Sequence, residues 1–204
     1  MPPTEMLTQS KANSEIRIEQ PLITWEQFKL IQRGFADSRG IRLAYYEGIL
    51  EIVSTSVDHE LIKTIIGALL ELYFLEMEIE FFPMGQATQE KGELVSLQPD
   101  ESYSFTSPKK IPDLAIEVIL TSGNIGKLKK YCLLGVPEVW LWEDGILDIY
   151  QLNLNAPISD RQYSKSNVSQ FLPNLDITTF QRCILSASPL EALKTFRQTF
   201  RQGL

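Results

Sequence analysis

The stretch "DLAIEVIL", Asp113 to Leu120, constrains the fold more than any other part of the chain. Leu114, Ile116, Val118 and Leu120 alternate with Asp113, Ala115, Glu117 and Ile119, and successive side chains of a strand point to opposite faces. Apolar residues on both faces require a strand covered on both sides, hence a sheet with helices packed against it. The exceptions are two acids, Asp113 and Glu117, on one face. A carboxylate in a core strand needs a cation, hydrogen bonds or a raised pKa to account for it.

The flanking segments supply the layers. "TWEQFKLIQRG" (Thr24 to Gly34) reads as a short helix with Thr24 as N-cap and Gly34 as its stop. "IRLAYYEGILEIVS" reads as two strands about a Glu47-Gly48 turn. A longer helix runs from Asp58, its expected N-cap, to Glu76, with Ile62, Ile65, Ile66, Leu69 and Tyr73 at helical spacing and His59 in the first turn. "IEFFPMGQATQ" is a strand broken at Pro83, and "ELVSLQPDESYSF" is extended, with Pro99 at an edge or irregular position. A helix from Ile125 to Leu134 ends at Gly135, and "EVWLWEDGILDIYQL" is a hairpin turning at Asp144-Gly145. From Pro189, Leu190, Leu193, Phe196 and Phe200 mark an amphipathic C-terminal helix. This order predicts an α/β (α+β) chain, a mixed central sheet flanked by helices.

A chain of 204 residues suits one domain, expected over 21–204 behind a flexible polar tail, 1–20. No apolar run approaches the ~20 residues that span a bilayer. The first twenty residues lack the apolar stretch of a secretory signal. Cys132 and Cys183 form no CxxC pair, so the expected compartment is the cytoplasm, with no membrane partner.

Elimination narrows the chemistry. The single histidine, His59, leaves too few ligands for a Cys/His zinc site, and no GxSxG elbow is present. In "GNIGKL", Leu128 stands where a phosphate-binding loop needs Ser or Thr. What remains is carboxylates, which suit hard cations such as Mg²⁺. The net charge of −7 opposes broad adhesion to nucleic acid but leaves room for a local basic groove.

Asp113 and Glu117 are ill placed to share one ion, since four residues of strand cover ~13 Å. A hairpin centred in "TSPKK" instead sets Asp100 opposite Glu117 on one sheet face, with Cβ atoms ~5 Å apart. Two facing acids repel unless a cation lies between them or one holds its proton. Lys127, at the start of the next helix, either serves that site or is a surface lysine beside Lys129 and Lys130.

The stretches "LITWEQF", "YYEGILEIVSTSVDHELI", "QPDESYSF", "PDLAIEVILTS" and "KLKKYCLLGVPEVWLWEDGILDIYQL" carry a resemblance over most of the chain. In them the chain resembles the Uma family of restriction endonucleases, within the PD-(D/E)XK nuclease superfamily. The resemblance implies a restriction-endonuclease-like fold and a Mg²⁺-dependent endonuclease acting on DNA, with Mn²⁺ as a substitute ion and a homodimer as its assembly. It makes Pro99-Asp100 the PD element and Glu117 the second acid, with the metal on Asp100, Glu117 and the Val118 carbonyl. The usual lysine position falls on Ile119, so the lysine is expected from the following helix, at Lys127. Glu51 or Glu60 is an accessory acid, His59 a phosphate-binding or capping residue, and Asp113 an outer carboxylate or a strand-start residue. The alternative is a nuclease fold that has lost its chemistry and serves nucleic-acid binding or assembly.

Overall fold

The computed structural model describes residues 15–38, 40–120 and 124–201. Its architecture is mixed α+β, built on two sheets. The first has the order β1 (Ile16–Gln20), β3 (Ile49–Ser54), β2 (Ile41–Tyr46), β6 (Val95–Leu97), β5 (Gln89–Lys91). The second has the order β11 (Tyr163–Ser166), β10 (Ile146–Leu152), β9 (Glu138–Glu143), β8 (Leu114–Ile119), β7 (Glu101–Phe105), β4 (Phe81–Pro83). All pairings in this second sheet are antiparallel except β8 with β9, which run parallel on either side of the crossover helix α3 (Asn124–Leu134).

Strand β8 is buried at every position. Its Leu114, Ile116 and Val118 join Trp140 and Trp142 of β9 in a core closed by α2 (Val57–Glu76), α4 (Ile177–Ile184) and α5 (Pro189–Arg201). Its Ala115 and Ile119 face the other way, packing with Val139 and Leu141 against Tyr131 and Leu134 of α3. The alternation read from the sequence therefore holds through Ile119. Leu120 lies past the strand, in an exposed bend. A third cluster seats α1 (Trp25–Gly34) on the β2–β3 hairpin through Phe28, Leu43, Tyr45 and Leu50.

The local signals account for most boundaries. Thr24 forms a full capping box with Gln27. Glu47-Gly48 and Asp144-Gly145 each place two successive residues at positive φ, the requirement of a tight type I′ hairpin turn. Gly135, at φ +81°, ends α3.

Several expectations change. The N-cap of α2 is Ser56, whose hydroxyl accepts from His59 N at 3.2 Å, so the helix starts at Val57 and Asp58 falls in its first turn. Ile16–Gln20, expected within a flexible tail, is a strand paired with β3; the first fourteen positions lie outside the described residues. Leu190 of α5 is exposed, while Ala192 and Phe196 supply its buried side. The short strands β5 and β11 and the helix α4 carry too few residues for their periodicity to stand out. "ELVSLQPDESYSF" is not one extended stretch: β6 ends at Leu97 and β7 starts at Glu101, in different sheets. Proline lacks the N–H that a ladder needs, so Pro99 interrupts pairing where the chain passes between the sheets. Asp100 sits at that crossing.

Candidate functional site

In the β7–β8 pair Glu101 faces Ile116, the register expected from the sequence, and the pairing ends there, so Asp100 lies just past the end of the ladder. The Asp100 backbone N–H donates to the Ile116 carbonyl at 3.1 Å. Its fully buried carboxylate is not aimed straight across at Glu117. Oδ2 accepts from the Val118 N–H at 2.6 Å and lies 3.2 Å from His59 Nε2, and Oδ1 is met by Arg42 Nη1. Since the N–H and C=O of a strand residue point to the same edge, the Val118 carbonyl is directed to the edge that Asp100 occupies.

Glu117 points toward α3. Its Oε2 accepts from Lys127 Nζ at 2.6 Å and its Oε1 from the Tyr131 hydroxyl at 2.5 Å. Burial pushes this carboxyl up, but the Lys127 charge and the two hydrogen bonds outweigh it and hold Glu117 below the ordinary carboxylate range. Burial and the Glu117 charge push the Tyr131 phenol well above its usual value, so it remains a donor.

Positions 127, 130 and 131 fall at i, i+3 and i+4 and share one face of α3. That face presents Lys127 and Tyr131 to Glu117, and Lys130 to Glu51. Glu51, on β3, also accepts from Arg17 of β1 at 3.2 Å. Glu51, Glu117, Val118, His59, Lys127 and Lys130 line one cavity of ≈ 40 Å³, room for a few waters or a small cation. His59 is 3% exposed. Burial, then the Arg42 charge, pushes it down to about 4, so the ring is neutral near pH 7. A neutral imidazole protonated at Nε2 donates to Asp100 Oδ2.

Asp100, fully buried, does not line this cavity, and Glu60 and Asp113 also fall outside it. Glu60 pairs with Lys63 at 2.6 Å and with Arg42 at 3.3 Å on a separate outer groove. Asp113 accepts from Lys109 Nζ at 2.7 Å and from Phe105 N at 2.8 Å, closing the β7–β8 connection as a strand-start residue. Arg42, Lys130 and Tyr131 escaped sequence reasoning. For the last two the helical spacing from Lys127 was the available signal; nothing local marks Arg42, which reaches Asp100 only because two sheets meet there.

Glu51 and Glu117, two of the acids lining the cavity, are each matched by a cation. Among the described residues, no group of three or more His, Cys, Asp or Glu side chains is arranged to hold a metal. The donor chemistry nevertheless fits a hard ion: Mg²⁺ is held by one or two carboxylates plus water, and Asp100, Glu117 and the Val118 carbonyl are all oxygen donors.

These features define a class: a mixed α+β protein with two buried carboxylates near the junction of its two sheets, each held by its own cation. A family model described as "Uma2: Putative restriction endonuclease" matches residues 25–186, and the chain belongs to that family. A solved structure described as a putative nuclease belonging to DUF820, from Anabaena variabilis, is 15% identical, covers 85% of this chain and 99% of its own, and superposes with a TM-score of 0.44. The comparison with curated proteins finds no match. No helix among the described residues is long and apolar enough to cross a membrane.

Proposed function

We propose that the protein is a Mg²⁺-dependent endonuclease of the PD-(D/E)XK type that hydrolyses phosphodiester bonds of DNA, with Mn²⁺ able to replace Mg²⁺. The observation that supports this reading is that the buried Asp100 carboxylate accepts from the N–H of Val118, the residue after Glu117, while Lys127 Nζ lies 2.6 Å from Glu117. The ion would be held by Asp100, Glu117 and the Val118 carbonyl, and when bound it supplies water activation and charge neutralisation at the phosphate.

The chain's own residues do the positioning. The His59 Nε2–H and the Val118 N–H fix Asp100, and the Tyr131 hydroxyl fixes Glu117; such outer hydrogen bonds orient ligands. Lys127 is the cation nearest Glu117, and its ammonium steadies charge developing on the phosphate oxygens. It takes the role for which Ile119, buried in the α3-side core, has no suitable group. A homodimer would carry two such sites.

A second reading is a nuclease fold that binds nucleic acid without cutting it. It is favoured by the complete pairing of both acids with cations, which is stable without a metal. Supercoiled plasmid incubated with Mg²⁺ or Mn²⁺ separates the two. Nicking by the native protein, lost in Asp100→Asn and Glu117→Ala, supports hydrolysis. Absence of nicking with retained carboxylate-dependent Mn²⁺ binding supports the second reading.

A further inference from the structure

Beside the carboxylate cavity lies a larger groove of ≈ 930 Å³. Its lining comes from α1 and the turn after it (Lys29, Phe35), β2 (Arg42), the segment between β4 and β7 (Gln86, Gln98) and the β7–β8 connection (Lys110). Arg42, Leu43 and Gln98 line both spaces, so these side chains form the wall between the groove and the cavity. The two acids on its wall are compensated: Glu90 accepts from Lys29 and Ser96, each at 2.9 Å, and Glu60 pairs with Lys63 and Arg42. Lys110 is exposed, and Phe35, at 38%, is a large aromatic ring left open to solvent. Gln86, oriented with its amide oxygen toward them, joins Lys63 Nζ and Arg42 Nη2, each at 2.9 Å.

We propose that this groove seats a single nucleic-acid strand, with a base stacked on Phe35, a backbone phosphate beside Lys110 and the next phosphate taking Arg42 from its carboxylates. The inference rests on the hydrolytic reading and names its substrate class: a strand outside a duplex, such as a flap, a gap or a displaced strand. Steric access selects it. Asp100 is fully buried and Glu117 is 3% exposed, so a phosphodiester approaching from the groove meets Arg42 before the acids. A duplex keeps its direction over about 150 base pairs and does not fold into such a recess, whereas an unpaired strand bends within a few nucleotides. Cations following a backbone together with an aromatic platform are the recognition chemistry of unpaired strands. Arg42 stands where the two spaces meet, able to exchange the Asp100 carboxylate for an incoming phosphate.

The test is fluorescence anisotropy on the full chain in EDTA, so that nothing is cut, with a labelled oligonucleotide offered as single-stranded DNA, as single-stranded RNA and as duplex DNA. At least one single strand should bind roughly tenfold tighter than the duplex, and the DNA and RNA arms identify which. Phe35→Ala should weaken that binding about 5- to 150-fold, the worth of one stacked base. Lys110→Ala should flatten the salt dependence by about 0.7 in the logarithmic slope, one phosphate's share on a single strand. Duplex binding as tight as single-strand binding, or unchanged affinity and salt slope in both variants, overturns the proposal. Strand binding is read without metal and nicking with it, so binding can fail while hydrolysis stands, and the reverse.

Discussion

Arg42 from one sheet caps Asp100 at the crossing into the other, placing a guanidinium on the carboxylate proposed to hold a divalent ion. Both cations claim the same buried oxygen, so they compete. Arg42→Met should therefore raise Mn²⁺ affinity by about tenfold in calorimetry. Removing one partner of a buried ion pair costs about 3–5 kcal/mol. The metal-free variant should accordingly melt earlier than the native protein and recover more on adding Mn²⁺. A purely structural Arg42 predicts the early melting without the tighter binding.

Tyr131→Phe removes one hydroxyl from the buried Glu117 carboxylate. A hydrogen bond to a charged group contributes about 1.5–3 kcal/mol. The variant should lose that amount in urea unfolding, with little change in the slope of the transition.

Lys127→Met takes the ammonium from the buried Glu117 carboxylate and leaves the Tyr131 hydroxyl on it. Nicking should fall at least about a hundredfold, as when one charge-stabilising donor is removed from a reaction site. Circular dichroism should remain native.

Glu138 is a buried acid of a different kind. It is fully buried and accepts from Trp140 Nε1 (2.7 Å), Ser169 Oγ (2.6 Å), Gln170 N (2.8 Å) and Gln151 Nε2 (3.3 Å), which ties the segment after β11 to β9. Glu138→Ala should cost more than about 3 kcal/mol, since several donors lose their acceptor at once. Nicking per folded molecule should be unchanged.

Asp176 caps α4, accepting from Thr179 N at 3.1 Å, and the hydrogen bonds from Thr179 hold its carboxyl below the ordinary range. A depressed folded pKa means that the unfolded chain takes up the proton first. The contribution is present above the unfolded value of about 3.9 and is lost as pH falls through the folded one. Asp176→Ala should cost about 0.5–2 kcal/mol near neutral pH and progressively less below pH ~4. Asp176→Asn should retain most of the cap and lose this pH dependence, checked by urea unfolding across the acid range.

The legible part of the fold lay where periodicity and turn chemistry agree. The two faces of β8, the capping box at Thr24 and the Gly-containing hairpin turns needed only neighbouring residues. The β7–β8 register was legible because a short connection leaves few ways to pair its flanks. The division into two sheets was not, because Val95–Leu97 and Glu101–Phe105 look alike as sequence and only their partners differ. For the same reason Arg42 could not be placed beside Asp100. Its neighbours in sequence specify a strand, and the contact is made by the way two sheets dock. Glu51 and Lys130 illustrate the same limit, an acid and a base distant in the chain and joined through tertiary packing.

Because the chain changes sheets at Pro99, the cleft beside Asp100 is a seam and not a pit within one layer. Arg42 and Glu51 belong to one wall; Glu117, Lys127 and Lys130 belong to the other. Any slippage between the walls would pull Arg42 from Asp100 and Glu51 from Lys130 together, so these two pairs double as a clasp. Loosening that clasp would expose the Val118 amide, making its exchange with solvent deuterium a direct gauge of whether the halves stay shut.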